Sequence, residues 1–107
     1  MERINSGSEI VDALPSGVER WVVARITGIR SSMLSNWEKR GLITPKIVPD
    51  GARSVNYSNV QIARAFLINT LRKNDWTYAE ISNHLSQPQW LKRNMKEIEA
   101  AINEVVE

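Results

Sequence analysis

The chain has 107 residues, with 14 Lys or Arg against 12 Asp or Glu, one His, four Trp and no Cys. That length builds a single small core, and the missing cysteines exclude a disulfide framework, a thiolate zinc centre and thiol redox chemistry. One His leaves neither an imidazole metal cluster nor a His-based triad to expect, and no Gly-rich phosphate loop or nucleophile elbow is present, so neither an enzyme nor a cofactor is expected.

No apolar run approaches the roughly 20 residues of a membrane helix. Residues 1–17 carry acids where a secretory leader would be basic and then apolar, which predicts a cytoplasmic protein with no membrane partner. The net charge of +2 conceals a division: residues 18–73 hold ten basic side chains against three acidic ones, and both flanks are net acidic. A basic middle between acidic ends predicts one face that meets a polyanion.

Residues 1–17 read as a partly ordered segment in which Ser6-x-x-Glu9 caps a turn from Ser8 to Leu14 before Pro15. Four further patterns mark helix starts, namely Ser16/Glu19, Ser58/Gln61, Thr77/Glu80 and Ser86/Gln89. In each, a hydroxyl and a later carboxyl or amide satisfy backbone donors that a first turn leaves open. The first predicts a helix from about Val18 to Thr27, closed by a left-handed Gly28. A second helix starts at Arg30 or Ser31 and ends at Gly41. Leu34 and Trp37 form its buried stripe, which leaves Ser31, Ser32, Ser35, Asn36 and Lys39 facing outward. Two such helices around a short turn make a helix-turn-helix.

Thr44-Pro45 breaks the helical pattern. Lys46-Ile47-Val48, the turn residues Pro49-Asp50-Gly51 and the alternating Arg53 to Tyr57 then predict a β-hairpin, with Arg53, Val55 and Tyr57 on one face. A basic hairpin directly after a helix-turn-helix is a wing. Val60, Ala63, Phe66, Leu67 and Leu71 mark a third helix from Asn59 to Lys73, ended by Asn74-Asp75. Trp76 and Ile81 staple a fourth from Tyr78 to Leu85. From Gln89 to Val106, Leu91, Met95, Ile98, Ile102 and Val105 follow the 4-3-4-3 spacing of a heptad seam. That seam either packs on its own domain or pairs with a second chain, and a homodimer through it is the expectation. The organisation expected is therefore residues 1–17 as a leading segment, 18–86 as a mostly α winged helix-turn-helix domain, and 87–107 as a C-terminal dimerisation helix.

Several blocks carry a resemblance: Ile26-Thr27-Gly28-Ile29, Leu34, Trp37-Glu38-Lys39-Arg40-Gly41-Leu42-Ile43-Thr44-Pro45, Gly51-Ala52-Arg53 with Tyr57, and Leu71-Arg72-Lys73 followed by Trp76-Thr77-x-x-Glu80-Ile81. Over about residues 20 to 86 the chain resembles the winged-helix DNA-binding domain of MerR-type transcriptional regulators. The resemblance implies dimers joined by an antiparallel C-terminal coiled coil that bind palindromic promoter sites and distort the DNA between half-sites. Three departures stand out. Ser35 and Asn36 occupy places where the family commonly has an arginine and a tyrosine, Arg53 lies four residues before Tyr57 instead of two, and only about 20 residues follow the domain, with no cysteine ligands.

Double-stranded DNA is thus the expected partner. Asn36 is placed to read adenine, Ser31, Ser32 and Ser35 to make adaptable hydrogen bonds, Arg30 and Lys39 to reach guanine or phosphate, and Lys46 and Arg53 to hold the backbone. Arg25, Arg64 and Arg72 read as structural helix residues, and Trp21, Trp37, Trp76 and Tyr57 as packing. Trp90 is open between packing on the domain and covering a partner helix, and His84 reads as a surface or C-terminal helix residue. Two other readings stand beside the regulator: an architectural factor resembling the small excisionases of phages and mobile elements, and an adaptor whose basic face meets an acidic protein.

Overall fold

The computed structural model describes residues 11–48 and 55–106. Residues 11–13 form a helical turn whose Val11 is buried, and the predicted start of that turn at Ser8 lies outside the described residues. The chain then forms β1 (Val18–Glu19) and α1 (Arg20–Thr27). The helix expected from Val18 starts two residues later, and the Ser16 box is not formed, since Glu19 is the N-cap and no side chain caps it. Long-range pairing explains the difference. Val18 and Glu19 lie opposite Tyr57 and Asn56, and the Gly17 amide donates to the Tyr57 carbonyl at 2.7 Å, so a sheet takes the backbone groups that a first turn would have used.

Gly28 closes α1 at φ +74°, its amide donating to the Ala24 carbonyl at 2.9 Å. The buried Thr27 hydroxyl donates to the Val23 carbonyl and accepts from the Ile29 amide, which fixes the turn into α2 (Ser31–Lys39). Gly41, at φ +75°, ends α2 with two 3.0 Å bonds, Gly41 to Glu38 and Leu42 to Trp37. A left-handed residue is needed there, and glycine adopts that conformation without a Cβ clash.

The hairpin strands are β2 (Lys46–Ile47) and β3 (Val55–Tyr57), antiparallel, with Lys46 opposite Asn56 and Ile47 opposite Val55. With β1 they form a sheet in the order β1-β3-β2. The predicted turn at Pro49 to Gly51, and Arg53, lie outside the described residues. Paired residues share a face, so Val18, Tyr57, Val55 and Ile47 line one side, and Glu19, Asn56 and Lys46 the other.

Helix α3 (Asn59–Lys73) is capped by the Ser58 hydroxyl, which accepts from the Gln61 amide. The Gln61 side chain does not complete the expected box, because it accepts from the Thr44 amide at 2.7 Å and ties the approach to the wing onto α3. Ile62, Ala63, Ala65, Phe66, Leu67, Ile68 and Leu71 put this helix at the centre of the core, whereas Val60, expected in the stripe, stays exposed in its first turn. The Thr77/Glu80 box forms in full at the start of α4 (Tyr78–Leu85).

The single helix expected from Gln89 is two, α5 (Trp90–Arg93) and α6 (Met95–Val106). Ser86 ends α4 instead of starting a helix, its hydroxyl donating to the Asn83 carbonyl. The break falls at buried Asn94, whose Nδ2 meets the Trp90 carbonyl at 2.8 Å and His84 Nε2 at 2.6 Å. His84 lies in the last turn of α4, as a C-terminal helix residue, and is half-buried with its ring edge-on to Trp76. Helix α6 packs along α3, where Ile98 and Ile102 are buried in the chain's own core and Leu91 and Met95 are half-buried. The face of α6 turned to solvent consists of Lys96, Glu97, Ala100 and Asn103, and the side chain of Val105 is outside the described set.

Candidate nucleic-acid interface

Helix α2 is set against the domain by two buried anchors and one polar lock. Leu34 and Trp37 are almost wholly buried, and the Trp37 indole N–H donates to the Tyr78 hydroxyl at 3.3 Å. Beside them, the Glu38 carboxylate accepts two bonds from the Arg20 guanidinium, at 2.8 and 2.6 Å, and one from the Tyr57 hydroxyl at 2.5 Å. One carboxylate thereby joins α1, α2 and β3. Burial, and then the hydrogen bond and charge of Glu38, push the Tyr57 hydroxyl well above its ordinary range. The hydrogen bond to Glu38 likewise raises Arg20, against the opposing effect of burial. Sequence reasoning picked out Glu38 within a motif block but not its partners, which lie 18 and 19 residues away.

The opposite face of α2 is what this lock presents. At 100° per residue, Ser32, Ser35, Asn36 and Lys39 lie across the helix from Leu34 and Trp37. Ser31, Ser32 and Lys39 are exposed, as is Arg30 at the N-cap, and Ser35 and Asn36 are half-exposed. None of these six side chains is bonded to another described residue. No acidic residue lies in the first turn and no side chain caps it, so the partial positive charge of the helix N-terminus stays uncompensated beside Arg30. The structure thus gathers Arg30, Ser31, Ser32, Ser35, Asn36 and Lys39 on one helix. Lys46 stands exposed on β2, on the sheet face turned away from Tyr57, and Arg53 is not described.

Eight of the described basic residues divide into two groups. Arg20 is in the lock. Arg40 stacks over the Tyr78 ring at 4.1 Å, and Arg72 lies 4.4 Å from the same ring while donating to the Trp76 carbonyl. Arg64 donates to the Leu42 carbonyl at 2.5 Å and lies 5.5 Å from the Trp90 ring, and its burial lowers its pKa. These four hold the fold. Arg25, grouped with Arg64 and Arg72 by sequence, instead stands exposed with Arg30, Lys39 and Lys46, none of them paired to a described acid. Trp21 is a second correction. Expected in packing, it is 59% exposed, with its indole N–H donating to Glu19 at 2.6 Å. Trp90 is buried in the domain.

A family model described as MerR HTH family regulatory protein matches residues 22–88. The chain belongs to the MerR family. The MerR match takes in α1 from Val22 onward, α2, the hairpin, α3 and α4, and leaves β1, the first two residues of α1, α5 and α6 outside it. MerR-family helix-turn-helix proteins are DNA-binding regulators, and α2 is the second helix of that motif in this chain. Neither curated proteins nor solved structures gave a match to the chain. Among the described residues no helix is long and apolar enough to cross a membrane, and no cluster of acidic and imidazole groups could hold a metal.

Proposed function

We propose that the protein is a sequence-specific double-stranded DNA-binding regulator of transcription, acting in a prokaryotic or phage cytoplasm, with α2 in the major groove and the wing on the phosphate backbone. The observation that carries this reading is the Ser32, Ser35, Asn36 and Lys39 stripe, held outward by buried anchors and bonded to nothing described. The Asn36 amide has the donor and acceptor needed for the N6 and N7 edge of adenine, the serines adapt to either base, and Arg30 and Lys39 supply donors for guanine or phosphate. Lys46 and Arg53 neutralise backbone charge without reading sequence.

Selection of bound duplexes from a random pool tests this directly. A defined motif is expected. Against it, Asn36→Ala relaxes preference at one base position by about 1–3 kcal/mol, and Lys46→Ala weakens binding uniformly and lowers the salt slope by about one. Equal, sequence-blind losses for both variants would contradict base reading by α2.

One observation favours the architectural reading as a second. With Ile98 and Ile102 buried beneath α6, a homodimer through the heptad seam would require α6 to leave its own core. Sedimentation equilibrium separates the two readings. A dimer protecting a palindrome supports the promoter regulator, and a monomer filling direct repeats head to tail supports a DNA-bending factor.

A further inference from the structure

The apolar face of the sheet does not stop where the core stops. Along it Tyr57 is fully buried, Val55 is half-buried, and Ile47 is 74% exposed, more than any other large apolar side chain described. The pairing of Ile47 with Val55, two residues from Tyr57, puts all three on one side. That side is the one on which α2 lies, since the Tyr57 hydroxyl reaches Glu38. Strand β2 is an edge strand, where exposed apolar residues invite unwanted pairing and charged ones are the usual choice. A β-branched aliphatic side chain is therefore held out in water on the recognition-helix side of the ribbon, with Lys46 on the opposite face.

Resting on the DNA-binding reading above, we propose that Ile47 is a minor-groove wedge. With α2 in the major groove, the groove next to the wing is the minor one. An isoleucine has no group to offer phosphates or base edges, so it gains only by leaving water against sugars and the faces of bases. Ile47 inserts at one base step, opens its stacking and bends the duplex away from the wing. The step it selects is pyrimidine followed by purine, the kind most easily unstacked. Specificity then extends to positions outside the reach of α2.

The test uses the full chain on duplexes of its selected site carrying 2-aminopurine at successive positions under the wing, with donor and acceptor dyes on the duplex ends. The native protein is expected to brighten one or two adjacent positions and shorten the end-to-end distance. Ile47→Ala abolishes the brightening, reduces the bend and lowers affinity about tenfold. Its salt slope equals the native one, because no phosphate contact has been removed. Ile47→Leu retains most of both signals. The proposal is overturned if no position brightens, if Ile47→Ala bends DNA as the native chain does, or if its salt slope changes. Loss of a protein contact by Ile47→Ala with bending intact also overturns it, assigning the residue to a protein surface. Failure of the DNA-binding reading looks different: the native chain then retards no duplex even at low salt, and both proposals fall.

Discussion

Tyr57 shows how a single side chain conveys the position of the wing to the recognition helix. Its ring fills the core beneath the sheet, and its hydroxyl donates to Glu38, which also binds Arg20. Because the folded state holds this phenol protonated well above its ordinary value near 10, the unfolded chain releases its proton first as the pH rises. The unfolded state then binds fewer protons, so the contribution to stability is complete below about pH 10 and declines above it. Tyr57→Phe should cost about 1.5–3 kcal/mol at pH 7, from the lost bond to the carboxylate, and should flatten the decline between about pH 10 and 11. Urea unfolding of both proteins across that range measures it, and an unchanged decline in the variant would contradict the assignment. The outward residues of α2 were legible from sequence because helical periodicity and two apolar anchors suffice to place them. The Arg20, Glu38 and Tyr57 lock was not, since nothing local marks three polar groups that meet only after folding. Trp21 misled for a related reason: its size suggests burial, but β1 sets the start of α1 and leaves the indole on the solvent side beside Glu19.

Among the elements, those governed by local chemistry followed the sequence closely. The turn at Gly28, the end of α2 at Gly41 and the Thr77/Glu80 box each rest on a few neighbouring residues, and each forms as expected. Where long-range contacts compete, the local signal loses. The Ser16 pattern gives way to sheet pairing, and the Gln89 to Val106 helix breaks where Asn94 bonds to Trp90 and His84. The end of α3 offers a test of the local rules. Asp75 sits at φ +68°, with its amide bonded to Arg72 and that of Trp76 to Leu71. An aspartate tolerates this conformation less well than glycine, so Asp75→Gly is expected to stabilise the fold by about 0.5 kcal/mol, partly offset by the freer unfolded chain. A higher denaturation midpoint with an unchanged slope against urea is the expected readout, and a lower midpoint would contradict it.

Across the whole molecule, the charge division read from sequence becomes a division of labour. Arg20, Arg40, Arg64 and Arg72 brace helices against one another, and the exposed Arg30, Lys39 and Lys46 are left facing solvent around α2 and the wing. Helical position marked Arg64 and Arg72 as structural, but it did not separate Arg20 and Arg40 from the basic surface, because a residue's type does not say whether its charge has been taken up by a carboxylate or a ring. The heptad seam was ambiguous for the same reason, since an apolar stripe of that length serves a second chain or the home core equally well. Packing of α6 along α3 is where Ile98 and Ile102 lie.

The central claim is that the outward stripe of α2 enters the major groove, and tethered cleavage tests it most directly. The native chain has no cysteine, so Ser35→Cys offers a single attachment point for an iron chelate on that stripe. On the selected duplex, cuts should fall on both strands within a few nucleotides of the recognised bases, offset between strands in the sense that marks a reagent in the major groove. Cuts with the opposite, minor-groove offset, or none on a duplex that the labelled protein still binds, would contradict the account.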